Sequence, residues 1–462
     1  MTQSVLLPTP TLREPARRLP TRVGQRYFIR TFGCQMNEHD SERIAGLFEV
    51  DGMTVADDVE NADVVYVNTC TIRENADNRM YGNIGQLKAI KDVNPDMTLV
   101  VGGCAAQKDR DLIRERAPWV DVVMGTHNLD RVLDLMDHAE QWGPITEVVD
   151  ELEAMPSSLP VKRELEHSAW VTIQVGCNNS CTFCIVPAVR GVEVSRRPGD
   201  IVREVERLAA DGVVEVTLLG QNVDTYGRDL ALDGKRRPIF GELLRRVGAV
   251  DGIRRVRFTS PHPNDFREDV ARAMAETESV CEHLHFPLQS GSDSILRAMH
   301  RGYTRGKYND RLQMAREIIP GLAVTSDVIV GFPGETELDF EQTLEVVEAA
   351  GFDQVFMFIF SPRPGTAAAS MQDRFVPEDV IKERFARLVE LQNRISAERN
   401  AEMVGAKVEV LSEGPSRKNP ALATTRTRTG KVAHVLGDYP QGTFLDVVIE
   451  SGHPHHLIGV PA

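Results

Sequence analysis

The chain has 462 residues, 42% of them hydrophobic and 26% charged, with a formal net charge of −15. That length exceeds what one core ordinarily serves, so two to four domains are expected, in an ordinary soluble globular composition. No apolar run approaches 18 residues and no apolar stretch of signal-peptide length opens the chain, so neither a membrane span nor an export signal is expected and the protein is placed in the reducing cytoplasm.

Residues 1–25 read as a disordered, Pro- and Arg-rich tail, with Arg13, Arg17, Arg18 and Arg22 against a single Glu14. From 26 to 141 strand and helix alternate, which predicts a parallel α/β domain. Strands are expected at Tyr27–Phe32, Asp63–Asn68, Thr98–Gly102 and Val120–Met124, with helices near 38–51, 74–93 and 106–117. A cysteine follows each of the first three strands: Cys34, Cys70 and Cys104. In open parallel sheets the carboxyl ends of the strands form the ligand crevice. Any one of these cysteines reads as a small buried residue, but three at the same structural offset are better explained as ligands of one centre.

Residues 142–167 carry Pro, Glu and Ser with little periodicity and read as a linker. From 168 to 398 a second α/β series runs, with strands at Ala169–Val175 and at 213–219, 254–259, 283–288, 323–330 and 353–360. Helices fall near 199–210, 239–248, 265–275, 292–299, 306–318 and 337–350. Six βα units predict a partial (β/α)6 TIM-type barrel with its chemistry at the carboxyl ends of the strands. Pro377 then opens a helix whose apolar stripe is Ile381, Phe385, Leu388, Leu391 and Ile395. From 399 to 462 short strands at Lys407–Leu411, Lys431–Val435 and Thr443–Glu450 predict a small β-barrel. It carries Arg417, Lys418, Arg426, Arg428 and Lys431. These read as a solvated face or as contacts to a nucleic-acid backbone. The acidic net charge argues against a surface coated in positive potential, yet a local basic groove suffices for RNA.

Three of the seven cysteines stand in the loop after the first barrel strand, Cys177, Cys181 and Cys184, at the spacing C-x3-C-x2-C. Thiolates this close can all reach one small inorganic centre, and soft ligands favour zinc, Cu(I) or iron–sulfur clusters. Zinc sites usually close with four ligands, commonly from two separated pairs, and no fourth cysteine or histidine lies nearby. Three thiolates on a four-iron cluster would leave one iron open. A zinc site or plain buried thiols is the competing reading of this triplet alone. Cys281 fits neither triplet and reads as a buried small residue.

The C-x3-C-x2-C spacing resembles that of the radical SAM superfamily, and the three parts together, over about residues 26–460, resemble the methylthiotransferase family of those enzymes, whose C-terminal barrel is called a TRAM domain. The motifs are Arg190-Gly191-Val192-Glu193-Val194-Ser195-Arg196, Leu219-Gly220-Gln221-Asn222-Val223, Pro287 to Asp293 and Asp327 to Thr336. Within the family, Thr31 to Asn37, Asn68 to Glu74 and Gln289 to Ser292 resemble the tRNA branch called MiaB. Gly430 departs from the TRAM pattern, where Asn is common, and puts one detail of RNA contact in doubt.

The resemblance implies two 4Fe-4S clusters, one on Cys177, Cys181 and Cys184 with its open iron chelated by S-adenosylmethionine, and one on Cys34, Cys70 and Cys104. It implies S-adenosylmethionine contacts from Phe183 and from the loop bearing Gly331, Pro333, Gly334 and Glu335. Gln289 and Ser290 are further candidates, with internal hydrogen bonding as the alternative. Arg190, Arg196 and Arg197 are candidates for a carboxylate or phosphate, with a surface ion pair as the alternative. The implied reaction is methylthiolation at C2 of N6-isopentenyladenosine beside the anticodon of tRNA. C2–H is not acidic and the ring carbon is a poor electrophile, so a radical is needed; the cofactors do that chemistry while the protein positions them. Implied partners are a tRNA substrate, a flavodoxin- or ferredoxin-like electron donor and a sulfur donor, with no membrane and a monomeric chain. The alternatives are methylthiolation of threonylcarbamoyladenosine in tRNA or of an aspartate of ribosomal protein S12, and more remotely a non-catalytic RNA-binding iron–sulfur sensor.

Overall fold

A computed structural model of the chain describes residues 19–71, 76–151, 159–231, 234 and 236–462. Residues 1–18 of the expected tail and 152–158 of the expected linker lie outside the described residues. Among the described residues no helix is long and apolar enough to cross a membrane.

The first domain is a six-stranded parallel sheet. Its strands are β1 (Arg26–Thr31), β2 (Thr54–Val55), β3 (Val64–Thr69), β4 (Thr98–Gly103), β5 (Val122–Met124) and β6 (Ile145–Glu147), in the order β2-β1-β3-β4-β5-β6. β3 and β4 are buried along their whole length, as expected of central strands covered on both faces. Helices Gln35–Val50 and Val132–Trp142 cover one face through Ile44, Phe48, Val132 and Met136. Ala76–Val93 covers the other through Met80, Ile84 and Leu87.

Three local expectations are corrected here. Residues 19–25 of the tail pack on this domain: Arg22 is buried and pairs with Asp51 at 2.9 Å and Glu140 at 2.6 Å. β6 lies inside the stretch read as linker; three residues are too few to show alternation, and the pairing with β5 is what makes them a strand. The single helix expected over 106–117 is two, Cys104–Asp109 and Asp111–Arg116, broken where Arg110 takes a φ of +49°.

The second series opens with β7 (Ser168–Thr172). A short antiparallel ribbon follows, β8 (Gln174–Val175) with β9 (Val194–Ser195). The barrel continues through β10 (Glu215–Leu219), β11 (Arg255–Phe258), β12 (His283–His285), β13 (Ala323–Val330) and β14 (Gln354–Ile359). β7-β10-β11 and β12-β13-β14 are each parallel and hydrogen-bonded. They join where Val256 bridges Val280 just before β12. Among the described residues no pairing closes β14 onto β7, so this is a six-stranded open barrel. Helices Pro198–Ala210, Phe240–Gly248, Glu268–Glu276, Asp293–Ala298, Arg305–Ile318 and Glu337–Ala350 stand close to where periodicity places them. Helix Glu378–Ala401 lays Leu388 and Ile395 on the barrel core, with Ile381, Phe385 and Leu391 packed beside them. Cys281 is buried.

The last five strands, β15 (Lys407–Pro415), β16 (Leu422–Thr427), β17 (Val432–Leu436), β18 (Phe444–His453) and β19 (His456–Pro461), form a closed barrel in the order β15-β16-β17-β19-β18. Its basic residues correct the sequence reading, because most face inward. Arg428 pairs with Glu282 at 2.7 Å and Lys431 with Asp353 at 2.6 Å, while Arg426 pairs with Glu413. In return Arg257 donates to the carbonyls of Thr427 and Arg428 at 2.8 and 2.9 Å, and Arg255 to that of Arg426 at 2.8 Å. The Thr-Arg alternation thus docks this domain onto the barrel, leaving Arg417 and Lys418 exposed. Gly430 has a φ of +84° beside the His283 ring. Gly and Asn share tolerance of that backbone region, which accounts for the departure from Asn without invoking RNA.

Candidate active site between two cysteine triplets

The first triplet stands along the carboxyl edge of the N-terminal sheet. Cys34 precedes helix Gln35–Val50 and its thiol caps nothing. Cys70 follows β3 and Cys104 opens the helix after β4. Asn37 draws the three loops together: its side-chain amide donates to Phe32 O at 2.8 Å and Thr69 O at 2.9 Å, and its Oδ1 lies 3.8 Å from Cys104 Sγ. Gly33 passes so close to Cys70 that an added Cβ would lie 2.9 Å from its Sγ.

The second triplet stands in the loop that joins β8 to β9. Cys177 N donates to Gly191 O at 3.1 Å, and Asn178 exchanges hydrogen bonds with Glu193 at 3.1 to 3.3 Å. Cys184 N donates to Cys181 O at 3.1 Å, and Thr182 bonds to the carbonyls of Ala298 and Met299. Glu193 and Gly191 of the Arg-Gly-x-Glu-x-Ser-Arg motif therefore act as braces for the cysteine loop.

Cysteines of both triplets meet at one cavity of about 240 Å³, lined by Cys34, Cys104, Cys177, Cys181 and Cys184 together with Arg190 and Arg301, whereas Cys70 is buried and does not line it. Arg190 leaves the barrel domain, is buried, and pairs with Asp40 Oδ2 at 2.7 Å while donating to Asn37 Oδ1 at 2.7 Å. On the other side Arg301 Nη1 lies 3.5 Å from Cys181 Sγ and its Nε donates to Tyr303 Oη at 3.1 Å. Each triplet thus has one buried guanidinium against it.

Burial pushes the Cys177 thiol up to about 12 and the Cys104 thiol up to about 11, and raises that of Cys184; Arg190 acts on Cys104 in the opposite direction. Free thiols in this setting hold their protons at neutral pH, so they ligate as thiolates only where positive charge compensates. Among the described residues no three such side chains stand close enough to share a single metal ion. Thiols ranged around a cavity suit the larger volume of a multi-iron cluster, and all seven cysteines are free of disulfides.

Comparison with known proteins gives a consistent result. Residues 26–125 match the family described as uncharacterized protein family UPF0004, and residues 171–347 match the Radical SAM superfamily. The chain is 53% identical to the tRNA-2-methylthio-N(6)-dimethylallyladenosine synthase of Thermobifida fusca, over 94% of this chain and 88% of that one. It is 52% identical to the same-named protein of Mycobacterium bovis, over 96% of this chain and 88% of that one. The chain belongs to the tRNA-2-methylthio-N(6)-dimethylallyladenosine synthase family. The fold is also that of the radical SAM methyltransferase TsrM from Kitasatospora setae, at TM-score 0.54 and 15% identity over 75% of this chain and 74% of that one.

Of the further residues expected at the cofactor, Phe183 reaches the cavity, with its ring edge-on to Phe332 at 6.4 Å. Arg190 lines it as well, whereas Gln289, Ser290, Gly331, Pro333, Gly334, Glu335, Arg196 and Arg197 do not. Gln289 has a φ of +66° and its N–H donates to Asp327 O at 2.7 Å. Ser290 Oγ stands 3.3 Å from Thr343 Oγ1 and accepts from Ser292 N at 3.2 Å. Gly331 N donates to Glu335 Oε2 at 2.9 Å, and Glu335 pairs with Arg384 at 3.0 Å. Gly334 N donates to Arg374 O at 2.7 Å, and Pro333 is buried between them. Arg196 donates to Thr172 O at 2.7 Å and pairs with Glu204. These residues shape the loops at the strand ends from within.

Sequence reasoning passed over Gln35, Met36, Gln221, Ser260, His262 and Arg301, all of which line the cavity. Gln35 and Met36 adjoin Cys34, and Gln221 sits in a motif already noted, so adjacency was an available signal. Ser260 and Arg301 carried none; Ser260 lies in the left-handed region at φ +60°, which a serine does not announce.

The cysteine loop depends on one glycine. At Gly176 (φ +78°) an added Cβ would lie 1.9 Å from Val192 O, a backbone atom that cannot yield without unzipping the ribbon. Gly176→Ala is expected to lose about four irons per reconstituted chain while the N-terminal triplet stays loaded, measured by iron assay and visible absorption.

Proposed function

We propose that this protein is a radical SAM methylthiotransferase that adds a methylthio group to C2 of N6-dimethylallyladenosine in tRNA. One observation carries the reading: cysteines of two triplets, from two domains, line a single cavity. Cys177, Cys181 and Cys184 hold the cluster that works with S-adenosylmethionine, and Cys34, Cys70 and Cys104 hold the second. When bound, these groups supply a strongly oxidising radical, sulfur and a methyl group.

The protein's own part is placement and exclusion. Arg190 bridges the domains and sets the separation of the triplets. Met36, Phe183 and Leu219 give the cavity apolar wall, which keeps water from a radical that would otherwise be quenched. Seven free cysteines support a reducing compartment, the cytoplasm.

The decisive test is the tRNA nucleoside profile of a strain lacking the gene. The 2-methylthio derivative of N6-dimethylallyladenosine is expected to disappear, its unthiolated precursor to accumulate, and the wild-type gene to restore it. Persistence of the derivative, or loss of a threonylcarbamoyl product instead, would overturn the assignment.

A further inference from the structure

A second and larger cavity, of about 510 Å³, lies between strands β11 to β14 of the open barrel and the C-terminal barrel. It is continuous with the cluster cavity, since Gln35, Thr259 and Ser260 line both. The C-terminal barrel floors it: Gly430 rests on the His283 ring, and Lys431 is held by Asp353 and Asn400.

Its walls differ in character. On the last strand, Val355 and Met357 turn outward to the helices, so the alternate residues Phe356 and Phe358 turn into the cavity. Both rings are large and apolar, yet 44% and 45% exposed. Apolar surface left open inside a concave site marks a place for an apolar ligand group. The adjoining strands are polar: Asp327 is paired directly with Phe356, and His285 stands 3.3 Å from Asp327 Oδ2 and 3.0 Å from Thr325 Oγ1. Among the described lining residues the arginine and lysine, Arg426 and Lys431, are already paired with Glu413 and Asp353, so neither guanidinium nor ammonium is left open to an anionic substituent.

We propose that Phe356 and Phe358 are specificity-determining residues: with the extruded substrate base in this cavity, its N6-dimethylallyl group lies against these two rings. The proposal rests on the functional reading above and gives that reading its selectivity. Enzymes that work on a base take it out of the stack into a fitted pocket. On the purine ring C2 and N6 are meta to one another. An apolar N6 substituent lodged on the phenylalanine wall therefore turns C2 aside, toward Gln35, Ser260 and the cluster cavity. A threonylcarbamoyl group would bring a carboxylate to that wall beside Asp327 and is rejected.

The test uses the reconstituted full-length protein and two anticodon stem–loops, identical except that one carries N6-dimethylallyladenosine and the other adenosine. The wild type is expected to bind the prenylated RNA about tenfold more tightly. Phe356→Ala/Phe358→Ala is expected to lose that preference, with affinity for the unprenylated RNA changing less than about twofold and iron content unchanged; Phe358→Leu, a milder change, should lose part of it. No preference in the wild type, or a preference that survives in the double variant, would overturn the site. Product formation is read separately. If binding behaves as stated but the prenylated RNA is never methylthiolated, the functional reading fails while the site stands.

Discussion

Cys177→Ala is expected to lower release of 5′-deoxyadenosine from S-adenosylmethionine by at least about a hundredfold, whereas Cys70→Ala keeps that cleavage and makes no methylthiolated RNA. The two triplets lie in different domains, each with its own bracing. Cys177 is held by the β8–β9 ribbon, and its loop leans on Ala298 and Met299. Cys70 ends a strand of the other sheet and lies against Gly33. A lesion at one site therefore leaves the scaffold of the other in place, and iron should fall from about eight to about four per chain in both variants. Chromatography of 5′-deoxyadenosine alongside mass spectrometry of the RNA reads both activities. Equal loss of cleavage in the two variants would contradict this division of labour.

Arg190→Met is expected to destabilise the protein by about 3–5 kcal/mol, because it strands the buried carboxylate of Asp40 and removes a donor from Asn37. In a protein of several domains that corresponds to a fall of about 10 °C in the transition that includes the N-terminal sheet. The N-terminal triplet should also load iron less completely, since Arg190 is the positive charge against Cys104. Adding Asp40→Asn removes the stranded charge and is expected to recover part of the stability, which calorimetry of both variants will show. Cleavage of S-adenosylmethionine should persist in Arg190→Met, because the guanidinium is engaged with the other domain. An unchanged melting transition would show that the pair does not hold the domains together.

What could be read from the chain was what neighbours along the chain decide. The C-x3-C-x2-C loop, the cysteine after each of three strands, the six βα units and the Pro377 helix all rest on spacing and periodicity over a few residues. So does the family, whose motifs are contiguous runs. The same logic failed wherever a side chain's partner lies far away. Arg190 sits in a barrel motif yet belongs to the N-terminal site. Arg428 and Lys431 look like an RNA face yet bind Glu282 and Asp353.

The sequence by itself determined the spacing of the six cysteines and the architecture, because both the cysteine pattern and a strand–helix rhythm are properties of local order. Only the tertiary structure decided that cysteines of both triplets line one cavity, that the C-terminal barrel floors a second, and that Phe356 and Phe358 stand open within it. Those facts depend on which carboxylate a buried guanidinium meets, and on which way an alternating strand turns once a sheet closes around it. Both are set by packing across hundreds of residues.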